Sequence, residues 1–158
     1  MIIYNHMKEL TDKEIMILAN KYKIKINGIY NKDIVSDNLI DGWYIINLDD
    51  HTGTGTHWTT FYYSDGVKLY FDSFGFIAPQ QVDEILKPYI YNKKEIQDMN
   101  SSSCGWFCLQ CIIYCSDDTH DVKTTFNNFI KNYGNNTMMN EHKLTMFFSN
   151  GQPLYKVL

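Results

Sequence analysis

The stretch from Gln97 to Cys115 concentrates the residues that are best suited to chemistry. Three serines precede an apolar run in which four cysteines recur at helical spacing, namely Cys104, Cys108, Cys111 and Cys115. The serines are typical N-caps, so we predict a buried helix with Cys104 in its first turn. The unpaired N–H groups and the positive end of the helix dipole at that position favour a thiolate. Cys104 is therefore the candidate nucleophile.

The other three cysteines are predicted to be small hydrophobic residues of the core. All four thiols lie on one straight helix, which cannot close a tetrahedral zinc site and is poorly suited to an unstrained disulfide. The glycine pair Gly53 and Gly55 lacks the lysine and the following helix of a phosphate-binding loop. We therefore expect no metal and no cofactor.

A histidine and an aspartate flank a predicted β-hairpin. Segments 57–63 and 67–72 have strand character and are joined by a turn at 64–66. With the turn at that place, His57 lies opposite position 72 or 73 of the second strand. The imidazole of His57 and the carboxylate of Asp72 are therefore predicted to be within hydrogen-bonding distance.

Together these residue types form the set that thiol-based hydrolysis requires. A cysteine nucleophile needs a base that later acts as an acid, a group that orients this base, and donors for the oxyanion. We assign the first three roles to Cys104, His57 and Asp72, in that order. The side-chain amide of Gln97 and the backbone N–H of Cys104 are the candidate oxyanion donors. Each residue alone has an ordinary structural explanation, so the prediction depends on their combination.

The order and spacing of these residues are similar to those of a known family. His57-Trp58, then Asp72-Ser-Phe-Gly-Phe76, then Gln97 seven positions before Cys104-Gly105 closely resemble the adenovirus-type maturation cysteine proteases. Those enzymes are relatives of the proteases that process ubiquitin-like modifiers. The likeness extends from the capped N-terminal helix to the helix that begins at Cys104.

The resemblance implies an α+β, papain-like fold with the nucleophile on a central helix packed against a mixed, mainly antiparallel β-sheet. We expect a single cysteine protease domain over residues 1–158. The resemblance also implies an endopeptidase that cleaves viral precursor proteins, such as capsid proteins, near glycine-containing sites during virion maturation. Such an enzyme would act in the virion and in the host-cell cytoplasm, at the virus factory.

Three residues beside the catalytic set are candidates for substrate binding. Trp58 follows His57, and Gly105 and Trp106 follow Cys104. We expect the two indoles to form the walls of a narrow cleft that admits only residues without side chains, which would explain a preference for glycine. The alternative is that both tryptophans are ordinary core residues.

Composition limits the expected partners. The 158 residues carry a formal net charge of −4 and include no arginine, which argues against a broad nucleic-acid surface. The adenovirus enzymes are stimulated by DNA and by a peptide that forms a disulfide with a cysteine before the glutamine. Here no cysteine precedes Cys104, which argues against such a peptide activator as well. No apolar run approaches 18 residues, so we expect a soluble protein without a membrane partner. We also expect a monomer.

The source of the chain is indicated only by its amino-acid usage. Lysine, asparagine, isoleucine and tyrosine are abundant, as in proteins from AT-rich genomes. This usage suggests a virophage or a large DNA virus.

The remaining elements follow from the periodicity of apolar residues. We predict a strand covered on both faces over 43–48, and helices over 12–22, 79–86, 122–130 and 141–148. The segment 28–41 has no regular pattern and is predicted to be a surface loop along a groove.

Three other interpretations of the same residues remain open. A protease that removes ubiquitin or a similar modifier would use the same four catalytic residues and would also meet a Gly-Gly sequence; an acetyltransferase with this set is a further, weaker alternative. A catalytically silent binding module would instead use His57 and Cys104 as structural residues. The complete set argues against the silent module, because a scaffold has no need for all four residues.

Overall fold

A computed structural model gives the fold of residues 7–53, 55–116, 120–151 and 153–154. In chain order its elements are α1 (Asp12–Lys21), β1 (Ile26–Asn31), β2 (Gly42–Asn47), β3 (Trp58–Tyr63), β4 (Lys68–Phe71), α2 (Gln80–Leu86), β5 (Ile90–Tyr91), α3 (Cys104–Cys115), α4 (Val122–Lys131) and α5 (Thr137–Asn150). The predicted domain over residues 1–158 includes positions outside the described ranges and stays a prediction.

The five strands form one mixed sheet in the order β1-β2-β3-β4-β5. The inner pairs, β2 with β3 and β3 with β4, are antiparallel, whereas the edge pairs, β1 with β2 and β4 with β5, are parallel. The structure therefore confirms the predicted α+β class with a mixed sheet and a central helix.

Alternate residues of β2 enter two different cores. Trp43 and Ile45 pack in the cluster that contains α3, whereas Tyr44 and Ile46 pack in the cluster that contains residues of α2. Successive side chains of a strand point to opposite faces, so an uninterrupted apolar strand is stable only when both faces are covered. The prediction of a strand buried on both sides is confirmed, because all residues of β2 after Gly42 are buried.

Helix α3 lies inside the protein. Nine of its 12 residues are buried, and its four thiols are free and buried. A helix that is apolar on all sides needs neighbours around its whole circumference, and α3 has them in the sheet and in the surrounding helices. No helix within the described ranges combines the length and the apolar character needed to cross a bilayer.

Three of the predicted helices are confirmed with small shifts at their ends. Helix α1 begins with the predicted capping box, in which the Glu14 N–H donates to Thr11 Oγ1 at 3.2 Å and the Thr11 N–H donates to Glu14 Oε1 at 3.1 Å. Helix α2 begins one residue after Pro79, and α4 extends one residue beyond the predicted end at position 130. These helices had both apolar periodicity and a recognisable first residue.

The predicted loop over 28–41 is wrong in its first part, because residues Ile26–Asn31 form β1. Every residue of β1 is only partly buried, and its register shifts between Ile26 and Gly28. The side chain of Asn27 donates to the Asp41 carbonyl at 2.9 Å instead of pointing to a core. An irregular edge strand of this kind lacks the alternation that a sequence pattern detects.

Helix α5 begins at Thr137, four residues before the predicted start, and ends at Asn150. The Asn136 side chain accepts a hydrogen bond from the Met139 N–H at 3.2 Å, and Gly151 ends the helix in the left-handed conformation with φ 64°. Asparagine caps and C-terminal glycines are well-known boundary residues. In the first turn of α5, Met138 and Met139 are exposed and the polar Asn140 is buried, so the apolar pattern did not indicate this boundary.

Gly75 lies so close to the backbone near Lys94, in the segment that leads to Gln97, that we predict a loss of stability when a side chain is added there. Its φ is +83°, and a Cβ at this position would lie 2.8 Å from the backbone carbonyl carbon of Lys94. Replacing Gly75 by alanine should lower the free energy of unfolding by about 1–3 kcal/mol from backbone strain alone. Chemical denaturation would measure this change. Gly66→Ala is the matched control: an added Cβ there meets nothing within 4 Å, so its effect should be within about 0.5 kcal/mol. Equal stabilities of the two variants would contradict this explanation.

Candidate active site

His57 and Asp72 meet at one end of the β3–β4 hairpin. The Nε2 atom of His57 lies 2.7 Å from Oδ1 of Asp72, so the predicted hydrogen bond is present. The predicted register is wrong, however, because Thr60 pairs with Phe71, and continuing that register would place His57 opposite Phe74. The pairing stops before His57, which allows its side chain to reach back to Asp72.

The side chain of Asp72 is buried, and hydrogen bonds fix both its carboxylate and its backbone. Its Oδ1 also accepts the backbone N–H of Phe74 at 2.8 Å. The side chain of Asn92 fixes the Asp72 backbone, accepting its N–H at 3.2 Å and donating to its carbonyl at 2.6 Å. Asn92 was missed by the sequence analysis, because an asparagine 20 residues away carries no local signal of this contact.

Phe74 covers the imidazole of His57. The two rings are stacked, with centroids 4.6 Å apart and an interplanar angle of 20°. The His57 side chain is therefore only 12% exposed, and Asp72 is 1% exposed. Phe74 also was not assigned a role from the sequence, although it lies in the Ser-Phe-Gly motif that follows Asp72.

Cys104 is the first residue of α3, as predicted, and lies beside the histidine. Its Sγ accepts a hydrogen bond from the backbone N–H of Trp58 at 3.4 Å. Interaction with the Cys104 thiol also raises the pKa of the His57 imidazole. His57 and Cys104 line the same cleft, and because Nε2 of His57 is bound to Asp72, Nδ1 is the ring nitrogen that remains for another partner.

Two opposing effects set the pKa of His57. Burial disfavours the protonated imidazole, but hydrogen bonds and charge interactions with Asp72 and Cys104 outweigh burial and raise the pKa to about 9. Since this folded-state pKa lies above the ordinary value of about 6.5, protonation of His57 stabilises the folded state. This stabilisation is complete below about pH 6.5 and is lost as the pH rises through about 9.

The neighbouring thiols have a different environment. Burial raises the pKa of Cys108 and of Cys111 well above the usual range, because an apolar surrounding disfavours the thiolate. Both side chains are fully buried within the core around α3. These contacts agree with the predicted role of both residues as small hydrophobic side chains.

The side chain of Gln97 is buried and fixed at both ends. Its Oε1 accepts the hydroxyl of Ser73 at 2.5 Å, and its Nε2 donates to the carbonyl of Ser101 at 3.0 Å. These two bonds define which end of the amide is the donor. One N–H of Nε2 is used by Ser101, so the other remains for a ligand in the cleft next to Cys104.

Ser103 occupies the N-cap position of α3 but does not cap the helix, so the predicted serine cap is wrong there. Its backbone angles are φ −86° and ψ 7°, outside the extended region that a capping residue adopts. Its hydroxyl instead donates to both carboxylate oxygens of Glu141, at 2.6 and 2.9 Å. This bond connects the loop before Cys104 to α5.

Helix α5 contacts the same loop at two further points. The hydroxyl of Thr137 donates to the carboxylate of Asp98 at 3.0 Å. The buried side chain of Asn140 donates to the Ile96 carbonyl at 3.1 Å. Together with the Ser103 contact, these bonds fix the segment that carries Gln97 relative to α3.

A cleft of about 250 Å³ opens beside three of the four predicted catalytic residues. His57, Gln97 and Cys104 lie along it, and Glu9 and Phe74 form parts of its walls. A second, larger cavity of about 390 Å³ borders Trp58 and shares Glu9 with the first.

The three residues predicted to bind substrate contact the N-terminal segment, and none of them is among the described residues that line the cleft at Cys104. The indole N–H of Trp58 donates to the Leu10 carbonyl at 2.8 Å, and that of Trp106 donates to the Lys8 carbonyl at 2.9 Å. A Cβ on Gly105 would lie 3.2 Å from the Leu10 side chain. Trp58 borders the larger cavity, whereas Trp106 lines neither cavity within the described part of the chain.

The fold and the site define an α+β protein with a cysteine at the start of a central helix and a His–Asp pair at the end of an adjacent hairpin. No protein-family model matches the chain, and no curated protein matches its sequence. A crystal structure of the ASFV pS273R protease is similar, with a TM-score of 0.53 and 16% identity, over 98% of this chain and 70% of that protein. This chain therefore shares the fold of the ASFV pS273R protease.

The imidazole of His57 should remain protonated through neutral pH. We expect its ring resonances in NMR spectra to titrate with a midpoint near pH 9, because Asp72 and Cys104 both favour the imidazolium. His57→Gln identifies the resonances, and Asp72→Asn should shift the midpoint down towards the ordinary value. A midpoint near 6.5 in the unchanged protein would contradict the proposed hydrogen-bond connection.

Proposed function

We propose that the protein is a cysteine endopeptidase with Cys104 as nucleophile, His57 as base and acid, and Asp72 as the residue that orients His57. The observation that carries this proposal is the buried Asp72–His57 hydrogen bond beside a cysteine at the start of α3. The shared fold with the ASFV pS273R protease supports it. A structural histidine would not need both a buried carboxylate on one ring nitrogen and a cysteine in the same cleft.

In the first half of the proposed reaction, the Cys104 thiolate attacks the carbonyl carbon of the scissile peptide bond. The backbone N–H of Cys104 is unpaired within the helix and, with the free N–H of Gln97 Nε2, stabilises the oxyanion. The imidazolium of His57 gives its proton to the leaving nitrogen. The C–N bond breaks, the amine product leaves, and the acyl group remains on Cys104 as a thioester.

In the second half, His57 is neutral and accepts a proton from a water molecule that attacks the thioester carbonyl. The tetrahedral intermediate uses the same oxyanion donors and then expels the Cys104 thiolate. The carboxylate product leaves, and the thiolate and imidazolium are restored. Asp72 holds the imidazole in position, in the same role as the aspartate of other triads.

We further propose that the substrates are viral precursor proteins, including capsid proteins, cut near glycine-containing sites during virion maturation, in the virion and the host-cell cytoplasm. The residues shared with the adenovirus-type proteases support this assignment. The cleft at Cys104 is lined in part by Phe74 and Glu9 and has a volume of about 250 Å³, which supports small residues at the scissile bond. Activation by DNA or by a disulfide-linked peptide is not part of the proposal, because the chain has no arginine and no cysteine before Cys104.

A deconjugating protease is the second candidate function. The catalytic set would be the same, and a ubiquitin-like modifier would present its Gly-Gly end to the same cleft. The fold is compatible with both candidates. The two differ in whether the enzyme needs the folded modifier or only the peptide sequence around the cleaved bond.

The purified protein should cleave peptides that contain Gly-Gly or Gly-x-Gly, and cleavage should vanish in Cys104→Ala. Gln97→Ala should lower kcat by about 10²–10³, because one oxyanion donor is lost. Mass spectrometry of the products locates the cut and shows whether replacing the glycines of the peptide by alanine abolishes turnover. A ubiquitin-like fusion in the same panel tests the deconjugase, which should strongly prefer the fusion.

Cys108→Ala is the matched control, since it removes a buried thiol from the same helix and should leave cleavage intact. Cleavage that persists in Cys104→Ala would contradict the proposed nucleophile. Equal turnover of the glycine and alanine peptides would contradict the proposed preference for small residues.

A further inference from the structure

The N-terminal segment 8–11, which we call the strap, forms one wall of the candidate active site. Two indole N–H groups hold its backbone: Trp106 donates to the Lys8 carbonyl at 2.9 Å, and Trp58 donates to the Leu10 carbonyl at 2.8 Å. The strap ends at Thr11, which is fixed by the capping box of α1. Its position relative to Cys104 is therefore determined by contacts at both ends.

Close packing adds to these hydrogen bonds. The side chain of Leu10 is buried and lies against Gly105, where an added Cβ would be only 3.2 Å away. Because Gly105 directly follows Cys104, the strap contacts the first turn of the helix that carries the thiol. The backbone on either side of residue 9 is therefore fixed, because the carbonyls of Lys8 and Leu10 both accept indole N–H groups.

Glu9 is that residue, and its carboxylate has no partner among the described residues. Its neighbour Lys8 forms an ion pair with Glu14 instead. Glu9 is exposed, and it borders both the cleft at Cys104 and the larger cavity beside Trp58. Within the described residues that line the catalytic cleft, it is the only carboxylate.

From this placement we propose that Glu9 is a specificity-determining residue that selects substrates with a lysine or arginine side chain at one position next to the scissile region. The inference rests on the proposed peptidase function. An unpaired carboxylate at the junction of the two cavities attracts a cationic side chain and repels an anionic one. A substrate that crosses from the larger cavity to Cys104 must pass this carboxylate.

The expected preference is modest, because Glu9 is exposed to solvent. Exposed ion pairs typically change an equilibrium constant by about two- to fivefold. Such a preference is also screened by salt, since both charges remain accessible to counterions. A purely structural role of Glu9 would produce neither a preference for basic peptides nor a salt dependence of that preference.

Binding measurements with the inactive Cys104→Ala protein test this inference separately from catalysis. The probes are fluorescent peptides around a central Gly-Gly, in which each flanking position in turn carries lysine or glutamine. We expect one position at which the lysine peptide binds about two- to fivefold more tightly, with the difference reduced at high salt. Adding Glu9→Gln should remove the difference, and Glu9→Lys should reverse it in favour of a glutamate peptide.

Asp12→Asn is the matched control, because Asp12 borders the larger cavity but not the catalytic cleft. It should keep the preference for lysine, and thermal unfolding should show that the Glu9 variants remain folded. Equal binding of lysine and glutamine peptides at every position, or a preference that survives Glu9→Gln, overturns the inference. So does a lack of binding by any peptide.

The outcomes for the two proposals are distinguishable. A Glu9-dependent preference in binding, without cleavage by the unchanged protein, would retain Glu9 as the residue that selects basic peptides and contradict the peptidase. Cleavage of glycine peptides without a Glu9-dependent preference would retain the peptidase and overturn the inference.

Discussion

The hydrogen bond between Asp72 and His57 is the interaction on which the proposed chemistry depends. Both side chains are largely withdrawn from water, so the bond acts in a surrounding where a charge without a partner is strongly disfavoured. Together with the interactions of Cys104, it raises the pKa of His57 to about 9 against the opposing effect of burial. An imidazole that is protonated at neutral pH can stabilise an adjacent thiolate, and it carries the proton that a leaving amine requires.

Much of the remaining structure holds the Asp72–His57 bond and the Cys104 thiol next to each other. The antiparallel pairing of β3 and β4 delivers His57 and Asp72 to the same end of the sheet, and the buried helix α3 places Cys104 beside them. Asn92 fixes the backbone of Asp72, while α5 fixes the loop before Cys104 through three side-chain contacts. The site is therefore assembled from distant parts of the chain, each held by hydrogen bonds that are satisfied inside the protein.

The parts of this arrangement that follow from local rules were predictable from the sequence. The capping box of α1, the apolar strand β2 and the helix that begins at Cys104 each carry their own pattern, and the hairpin turn indicated the His57–Asp72 pair. The edge strand β1 was not predictable, because its partly buried residues do not alternate. Asn92 and the bond between Ser103 and Glu141 depend on tertiary contacts, for which a single sequence offers no signal.

The measurement that tests the central claim most directly is the rate of Cys104 alkylation by iodoacetamide at neutral pH, in the unchanged protein and in Asp72→Asn. Peptide mapping by mass spectrometry separates Cys104 from the three other buried thiols. If the Asp72–His57 bond maintains the reactive form of the thiol, Cys104 is labelled rapidly and selectively, and Asp72→Asn slows this labelling by at least about tenfold. Equal rates in the two proteins, or uniformly slow labelling of all four cysteines, would contradict the account.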